Sequence, residues 1–487
     1  GCHSISGFIN PDRITNFTQM GGEGAFWIGR APFSKHAHIF QNMGDGTYAH
    51  SGYLGVRAAV ASGVNITFKM LINDAVAMTG GQSAQGGPSP VSMSKQLLAE
   101  GVKKVVIISD EPEQIRSNFS WPRDVDFFHR DKILKVQKEL SFIKGVTALL
   151  HVQICATELR RRRKRKIIPQ KMERLYINPE VCEACGDCAK NSNCVALKPE
   201  FDGEADKRSI DYSVCNDDYS CVNGFCPSFV AIITKKEKNF EEANLPAKEI
   251  LPDPLLIEKE ITNIYLAGIG GTGISTISAV LVMASRLDNL YAQAVNQTGL
   301  SQKNGAVTSQ IRISESENLK SRMSRIPPFG ADLLLACDAV VGVADNTLKV
   351  LNKNKSQAIM NIDIDPVGVV GYGSGTTVNE KSIFSRLNNF LEIEKYSTYN
   401  INQVCDKLMG NKITANVMML GIALQKGLIP ISVKSIESAL TLNGTSVKEN
   451  IKALTWGRWL AHDPELVFDL MGFNQNILKK KKIEDME

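Results

Sequence analysis

Charge of one sign is scarce as a surplus: 56 Lys and Arg against 51 Asp and Glu leave +5 over 487 residues. A balance that small points to no class of partner. No initiating methionine is present. The chain opens Gly1-Cys2-His3, so an upstream segment is expected and this end carries no reading of targeting. Disulfides are not the expected use of the 11 cysteines either: their dense, close spacing inside a large chain suggests metal ligation in a reducing compartment. No repeat of solenoid type is visible. One long uncharged run, Ile264 to Ser285, reaches the length of a membrane span. Its Gly268, Gly270, Gly271 and Gly273 fit a strand, a tight turn and a buried helix instead.

What remains is ordinary for globular protein: 43% hydrophobic and 22% charged residues. The length suits about three domains at roughly 150 residues each. Strand-like apolar runs at His38–Gln41, Asn65–Leu71 and Lys104–Ile108, with glycine turns and helical stretches between them, predict a mostly parallel sheet. Further on, Leu290–Val295, Ala339–Gly342 and Ile359–Asp363 read as strands of a second α/β unit.

Gly44-Asp45-Gly46 is followed, after 26 residues, by Asn73. An Asp at the end of one strand and an Asn at the end of the next supply oxygen ligands to Mg²⁺, and the Ala75 carbonyl is a third candidate. Glycines on either side of the Asp let backbone approach a diphosphate, and ligands bind beyond the carboxyl ends of parallel strands. Gly-Asp-Gly alone also serves as an ordinary turn. With Asn73 at this spacing, the pair predicts a site for thiamine diphosphate and Mg²⁺.

Seven cysteines fall between Cys182 and Cys226. They read Cys182-x2-Cys185-x2-Cys188-x5-Cys194, then Cys215-x5-Cys221-x4-Cys226-Pro227. Two-cluster ferredoxins carry C-x2-C-x2-C-x3-C-P twice, the fourth cysteine of each run serving the other cluster. On that scheme Cys182, Cys185, Cys188 and Cys226 hold one 4Fe–4S cluster. Cys194, Cys215 and Cys221 hold a second, 4Fe–4S or 3Fe–4S, with Asp218 as an oxygen ligand or that corner vacant. Three cysteines spaced this way favour iron–sulfur over zinc.

Gly268-Ile269-Gly270-Gly271-Thr272-Gly273 matches a dinucleotide turn, but Leu290–Val295 runs into Asn296-Gln297-Thr298-Gly299 without the acid such a site wants. The basic run Arg160–Lys166 reads as a solvated face at a helix carboxyl end, where cations are favoured, and not as a nucleic-acid site. His36, His38, His50 and His151 are candidates for substrate or cofactor contacts, and His50 follows the Gly-Asp-Gly turn. A structural hydrogen bond explains each as well.

Thr18–Gly24 (TQMGGEG), Gln41–Ser51, Asn73–Gln82 (NDAVAMTGGQ), Ile261–Ser285, Gln297–Ile313 and Trp456-Gly457-Arg458 together resemble the fused indolepyruvate:ferredoxin oxidoreductases of the 2-oxoacid:ferredoxin oxidoreductase family. Thr79-Gly80-Gly81-Gln82 recurs in the wider family. The resemblance implies an α/β protein: a thiamine-diphosphate-binding fold, a ferredoxin-like two-cluster insert and a second, gamma-type, Rossmann-like α/β domain. The corresponding bounds are 1–159 for the diphosphate-side domain, 160–178 for a basic linker and 179–236 for the 4Fe–4S domain. They continue with a linker at 237–259, the gamma-type domain at 260–465 and a tail at 466–487. Implied cofactor residues are Gly44, Asp45, Gly46, Asn73, Ala75, Gly80 and Gly81, and Gly1-Cys2-His3 would begin the same domain.

Oxidative decarboxylation of an aryl-2-oxoacid to an acyl-CoA, with electrons passed through the clusters to ferredoxin, is the implied activity. The implied setting is the cytoplasm, without membrane or nucleic acid. The family's pyrimidine-gripping upstream domain is absent from this sequence, so the expected assembly is a homo-oligomer or one with a companion chain or domain supplying that half. Two alternatives stand: an electron-transfer or assembly module without catalysis of its own, and a relative specific for pyruvate or 2-oxoglutarate.

Overall fold

The computed structural model describes residues 11–14, 16–73, 86–164, 167–169, 171–192, 194, 196–201, 206–212, 214–233, 242–246, 251–257, 259–298, 305–321, 323–363 and 380–472. The chain divides into two compact units, Gly1–Val181 with Ile210–Ile233, and Cys182–Ser209 with Thr234–Glu487. Both are mixed α/β.

Five parallel strands form the sheet of the first unit: β1 (Ile39–Gly44), β2 (Ile66–Ile72), β3 (Lys104–Ser109), β4 (Val125–His129) and β5 (Val146–Val152), in the order β1-β2-β5-β3-β4. Runs such as Val105–Ile108 are apolar at every position because helices cover both faces of a parallel sheet. Alternate residues accordingly enter different cores. Ile107 and Leu150 pack with Trp27, Met43, Phe68 and Met93, whereas Val106, Ile108 and Leu149 pack with Val136 and Leu140. Helix α1 (Tyr53–Ser62) follows the turn after β1, and helix α2 (Ala156–Lys164) follows β5.

The cysteine-rich segment is built twice. Strand β6 (Glu173–Ile177), the loop Cys182–Cys188, a helix at Asp187–Ser192 and β7 (Leu197–Phe201) make the first half. The second half consists of β8 (Asp206–Ile210), the loop Cys215–Cys221, a helical turn at Ser220–Val222 and β9 (Phe229–Ile233). β6 pairs antiparallel with β9, and β7 pairs with β8.

In the second unit a six-stranded sheet runs β11-β12-β10-β13-β14-β15. Its strands are β10 (Thr262–Ile269), β11 (Tyr291–Gln297), β12 (Ala306–Ser314), β13 (Leu333–Ala336), β14 (Gln357–Asn361) and β15 (Tyr396–Tyr399). All eight residues of β10 are buried, with Ile264 and Leu266 in one core and Tyr265, Ala267 and Ile269 in the other. The uncharged run from Ile264 is therefore a central strand followed by helix α3 (Ile274–Leu287). No helix among the described residues is long and apolar enough to cross a membrane.

Ala339–Gly342, expected as a strand, is a short helix, and the reason is local. Asp338 caps it by accepting a hydrogen bond from the Val341 N–H at 2.8 Å. Helix α4 (Ala415–Gln425) is apolar all round, as a helix enclosed by its own core must be. It crosses α5 (Val447–His462) at Gly421 and Gly457, so closely that a Cβ on Gly457 would sit 1.9 Å from the Met418 carbonyl oxygen.

Candidate functional site

β1 ends at Gly44, and the chain turns straight into a helical turn at Asp45–Thr47. Because β1 and β2 are parallel neighbours, with Gly44 opposite Leu71, the carboxyl ends of both strands lie side by side. Asp45 thereby meets the residue after β2. Its Oδ2 accepts the Asn73 N–H at 3.0 Å, and its Oδ1 accepts the Gly46 N–H at 2.7 Å. A carboxylate offers about four lone-pair positions, so two backbone donors leave coordination capacity for a cation. Among the described residues a Cβ on Gly44 would meet no atom within 4 Å, and backbone so little enclosed by them suits the close approach of a phosphate. These residues fit Mg²⁺ and a diphosphate. Ala75, Gly80 and Gly81, with Thr79 and Gln82, lie outside the described residues, as do Cys2 and His3.

The Gly21–Gly24 loop packs against this turn's helix. Gly21 N–H donates to Glu23 Oε2 at 2.7 Å, and Gly24 N–H donates to Gln41 Oε1 at 3.1 Å. Gly21 has φ of +95°, and a Cβ there would lie 2.2 Å from Ser51 Oγ. The neighbouring His50 is exposed and pairs its Nδ1 with Ser51 Oγ at 2.9 Å. His36 is also exposed. His38 bonds Thr67 Oγ1 at 2.9 Å, and burial lowers its pKa. His151 is lowered by burial too, and its Nε2 has no hydrogen-bond partner among the described residues.

A cavity of about 280 Å³ opens at the carboxyl ends of β2, β3 and β5, lined in part by Asn73, Ser109, Asp110 and Gln153. Asp110 Oδ2 accepts Gln153 Nε2–H at 2.7 Å, and Asp110 Oδ1 pairs with Arg130 Nε at 2.5 Å. Neither Asp110 nor Gln153 belongs to a motif, so sequence reasoning missed them.

The cysteine loops share one backbone. Ala184 and Gly186 have positive φ in the first, 55° and 75°, and Asp217 and Tyr219 in the second, 52° and 58°. The offset is constant at 33 residues (182 to 215, 185 to 218, 188 to 221). Asp218 therefore stands where Cys185 stands, each exposed, each between two left-handed residues. Asp217 N–H donates to Cys215 Sγ at 3.4 Å, the type of amide-to-sulfur bond that tunes clusters. Cys226 Sγ lies 3.0 Å from Ser228 Oγ, and Cys194 N–H donates to Ser192 Oγ at 3.2 Å. Among the described residues every cysteine is a thiol, and no group of three His, Cys, Asp or Glu stands gathered as a metal shell. Donor type, spacing and backbone of the loops fit a cluster; the thiols are not drawn together. Cys405 is buried and Cys337 half-buried against the core, and desolvation pushes both thiols up to about 12, away from the reactive thiolate.

The basic run, expected as a solvated face or a linker capping the last helix of the first domain, has its Arg160–Lys164 part at the end of α2, and two of its side chains are not simply solvated. Arg160 and Arg163 reach from α2 onto the second cysteine loop. Arg160 donates to the Val214 carbonyl at 3.0 Å and to Asn216 Oδ1. Arg163 donates to the Asn216 carbonyl at 2.7 Å and to Asp217 Oδ2 at 3.0 Å. Lys171 adds a bond to the Asp217 carbonyl at 2.8 Å. The density of basic residues beside a cysteine motif was the available signal.

At the glycine turn of the second unit, Gly271 and Gly273 have φ of 88° and 90°. Thr272 Oγ1 donates back to the Ile269 carbonyl at 2.8 Å, and Asn416 Nδ2 donates to the Thr272 carbonyl at 2.6 Å. β12 lies between β10 and β11 and is antiparallel to both. A dinucleotide fold needs its second strand beside the first, and here that place is taken. Trp456-Gly457-Arg458 is structural: Arg458 is 2% exposed and donates to the Pro252 carbonyl at 2.9 Å and to Gln425 Oε1 at 2.8 Å.

Residues 263–459 match the family model described as pyruvate ferredoxin/flavodoxin oxidoreductase. Among curated proteins the chain is similar to indolepyruvate oxidoreductase subunit IorB of Archaeoglobus fulgidus, 25% identical over 40% of this chain and 92% of that one. It is also similar to subunit IorA of Thermococcus kodakarensis, 25% identical over 36% of this chain. The chain spans 25% of that IorA's length. Among solved structures, pyruvate oxidoreductase subunit PORC of Thermotoga maritima aligns over 41% of this chain and 96% of that one, at 16% identity and a TM-score of 0.30. The motif resemblance and the sequence comparisons point to the same group of proteins.

Proposed function

We propose that this chain is part of a 2-oxoacid:ferredoxin oxidoreductase, joining the diphosphate-binding end of one subunit type to a cluster segment and a gamma-type domain. The observation that carries it is Asp45 at the end of β1, hydrogen-bonded to Asn73 at the end of β2. Similarity to both IorA and IorB supports the joining.

Asp45 and the Asn73 side chain would hold Mg²⁺, with the Ala75 carbonyl as a third ligand, and Gly44 and Gly46 would admit the diphosphate. Gly80 and Gly81 belong to the same proposed site. Bound there, thiamine diphosphate supplies the carbanion stabilisation that decarboxylation of a 2-oxoacid requires. The protein's part is to fix the diphosphate and to place thiolates for electron removal. Cys182, Cys185, Cys188 and Cys226 would hold a 4Fe–4S cluster, and Cys194, Cys215 and Cys221 would serve the second. Cys337 and Cys405 stay outside this role, since their thiols are desolvated and hard to ionise.

An aryl-2-oxoacid such as indolepyruvate is the proposed substrate, coenzyme A the acyl acceptor and ferredoxin the electron acceptor, with a companion chain supplying the pyrimidine side. The test is a panel of indolepyruvate, pyruvate and 2-oxoglutarate, assayed without oxygen with methyl viologen and coenzyme A in the presence of the companion half. Preference for indolepyruvate is expected. Equal rates with pyruvate would remove the aryl assignment.

A further inference from the structure

We infer that Arg160 and Arg163 are positioning residues: they hold the second cysteine loop on helix α2 as a preformed part of the first unit, shaped by protein contacts before any metal is bound.

The loop needs such a hold. Asp217 and Tyr219 are in left-handed backbone, with φ of 52° and 58°. Such conformations are costly for a non-glycine residue and persist only where the surroundings over-determine them. Local turns supply part of the hold. The Val214 and Cys215 N–H groups donate to the Asp211 carbonyl at 3.2 and 3.1 Å, and the Ser220 N–H donates to Asp218 Oδ1 at 3.2 Å. These bonds lie within the loop itself.

The fixing bonds come from outside it. Residues three apart on a helix share a face, so the Arg160 and Arg163 side chains reach the same stretch, 214–217. Arg160 donates to the Val214 carbonyl and to Asn216 Oδ1. Arg163 donates to the Asn216 carbonyl and to Asp217 Oδ2. The Arg163–Asp217 pair is well shielded, its side chains 10% and 20% exposed, and charge-assisted bonds are the stronger kind.

β6 and the segment before it complete the grip. Tyr219 Oη donates to the Glu173 carbonyl at 3.0 Å, and Tyr212 Oη donates to the Leu175 carbonyl at 2.9 Å. Lys171 donates to the Asp217 carbonyl and lies 4.4 Å over the Tyr219 ring. The two left-handed residues are thus the ones gripped, Asp217 by its side chain and carbonyl and Tyr219 by its hydroxyl and ring. None of these outside contacts uses a cysteine sulfur, so the shape they impose does not depend on what the thiols bind.

Helix, β6 and loop all belong to the first unit. Leu159, next to Arg160 on α2, lines the cavity that Asn73 and Gln153 also line. The two arginines therefore set where the loop stands relative to the proposed cofactor end of the sheet.

Hydrogen exchange on the full chain, read by mass spectrometry of the peptide covering 210–223 before and after stripping metal with a chelator, tests this. In stripped wild-type protein the loop amides should exchange as slowly as before stripping, and more slowly than in a free peptide of the same sequence. R163A should speed that exchange roughly tenfold or more, as expected for losing a hydrogen bond to a charged group, and R160A should act in the same direction. R162A is the control, because Arg162 bonds Glu158 on its own helix, and its loop should exchange as in wild type. The global unfolding midpoint should stay at the wild-type value in all three variants. Stripped wild-type protein whose loop exchanges like the free peptide would overturn the inference, since metal would then shape the loop. So would an R163A loop that matches wild type, an R162A loop that matches R163A, or a fall in the R163A midpoint large enough to explain its faster exchange. A chain that never carried iron is read in the same way, which separates this test from that of the cluster reading.

Discussion

The proposed diphosphate site rests on Asp45, and the residue scale is where its role is tested. Asp45→Ala removes both carboxylate oxygens at the strand end. The expected outcome is loss of Mg²⁺-dependent thiamine diphosphate retention, read by calorimetry, with the visible absorbance of the clusters unchanged. Cofactor retained by the variant would count against the site. Cys185→Ser should do the opposite, bleaching cluster absorbance while cofactor binding stands. Thiol chemistry separates the cysteines further. In metal-free but folded protein, alkylation at about pH 8 should label the loop cysteines and spare Cys337 and Cys405, whose thiols burial keeps protonated. Peptide mass spectrometry reads the pattern, and labelling of Cys405 before unfolding would show its burial to be misjudged.

Elements divide between those written in local pattern and those set by distant partners. β3 and β10 carry continuous apolar runs, Val105–Ile108 and Ile264–Ile269, and such runs can be read directly because both their faces are buried. Asp45 and Asn73 were legible as a pair for a related reason, since adjacent parallel strands bring their carboxyl ends together. Ala339–Gly342 looked like a strand because four small apolar residues carry no period; its helical state is decided by the Asp338 cap. The insertion of β12 between β10 and β11 had no local signal, because strand order is a long-range outcome. The grip of Arg160 and Arg163 on the second cysteine loop was equally hidden, as charge density alone cannot say what a side chain reaches. At the α4–α5 crossing the demand is steric. Gly457→Ala should destabilise the second unit by about 3 kcal/mol, the upper part of the overpacking range, measured by denaturant unfolding. A change under about 0.5 kcal/mol, the size of an ordinary surface substitution, would mean that the helices do not meet as closely as described.

At the scale of the whole molecule, the chain is similar to two differently named subunits, one matched over nearly its full length and one over a quarter. The proposed division of labour places cofactor binding at the end of a parallel sheet and electron removal in a duplicated cysteine segment. The central claim is that this segment holds iron–sulfur clusters. Iron and acid-labile sulfide, assayed in the full chain purified without oxygen and passed through gel filtration, test it most directly. The account expects both to elute with the protein; a folded chain carrying neither would contradict it.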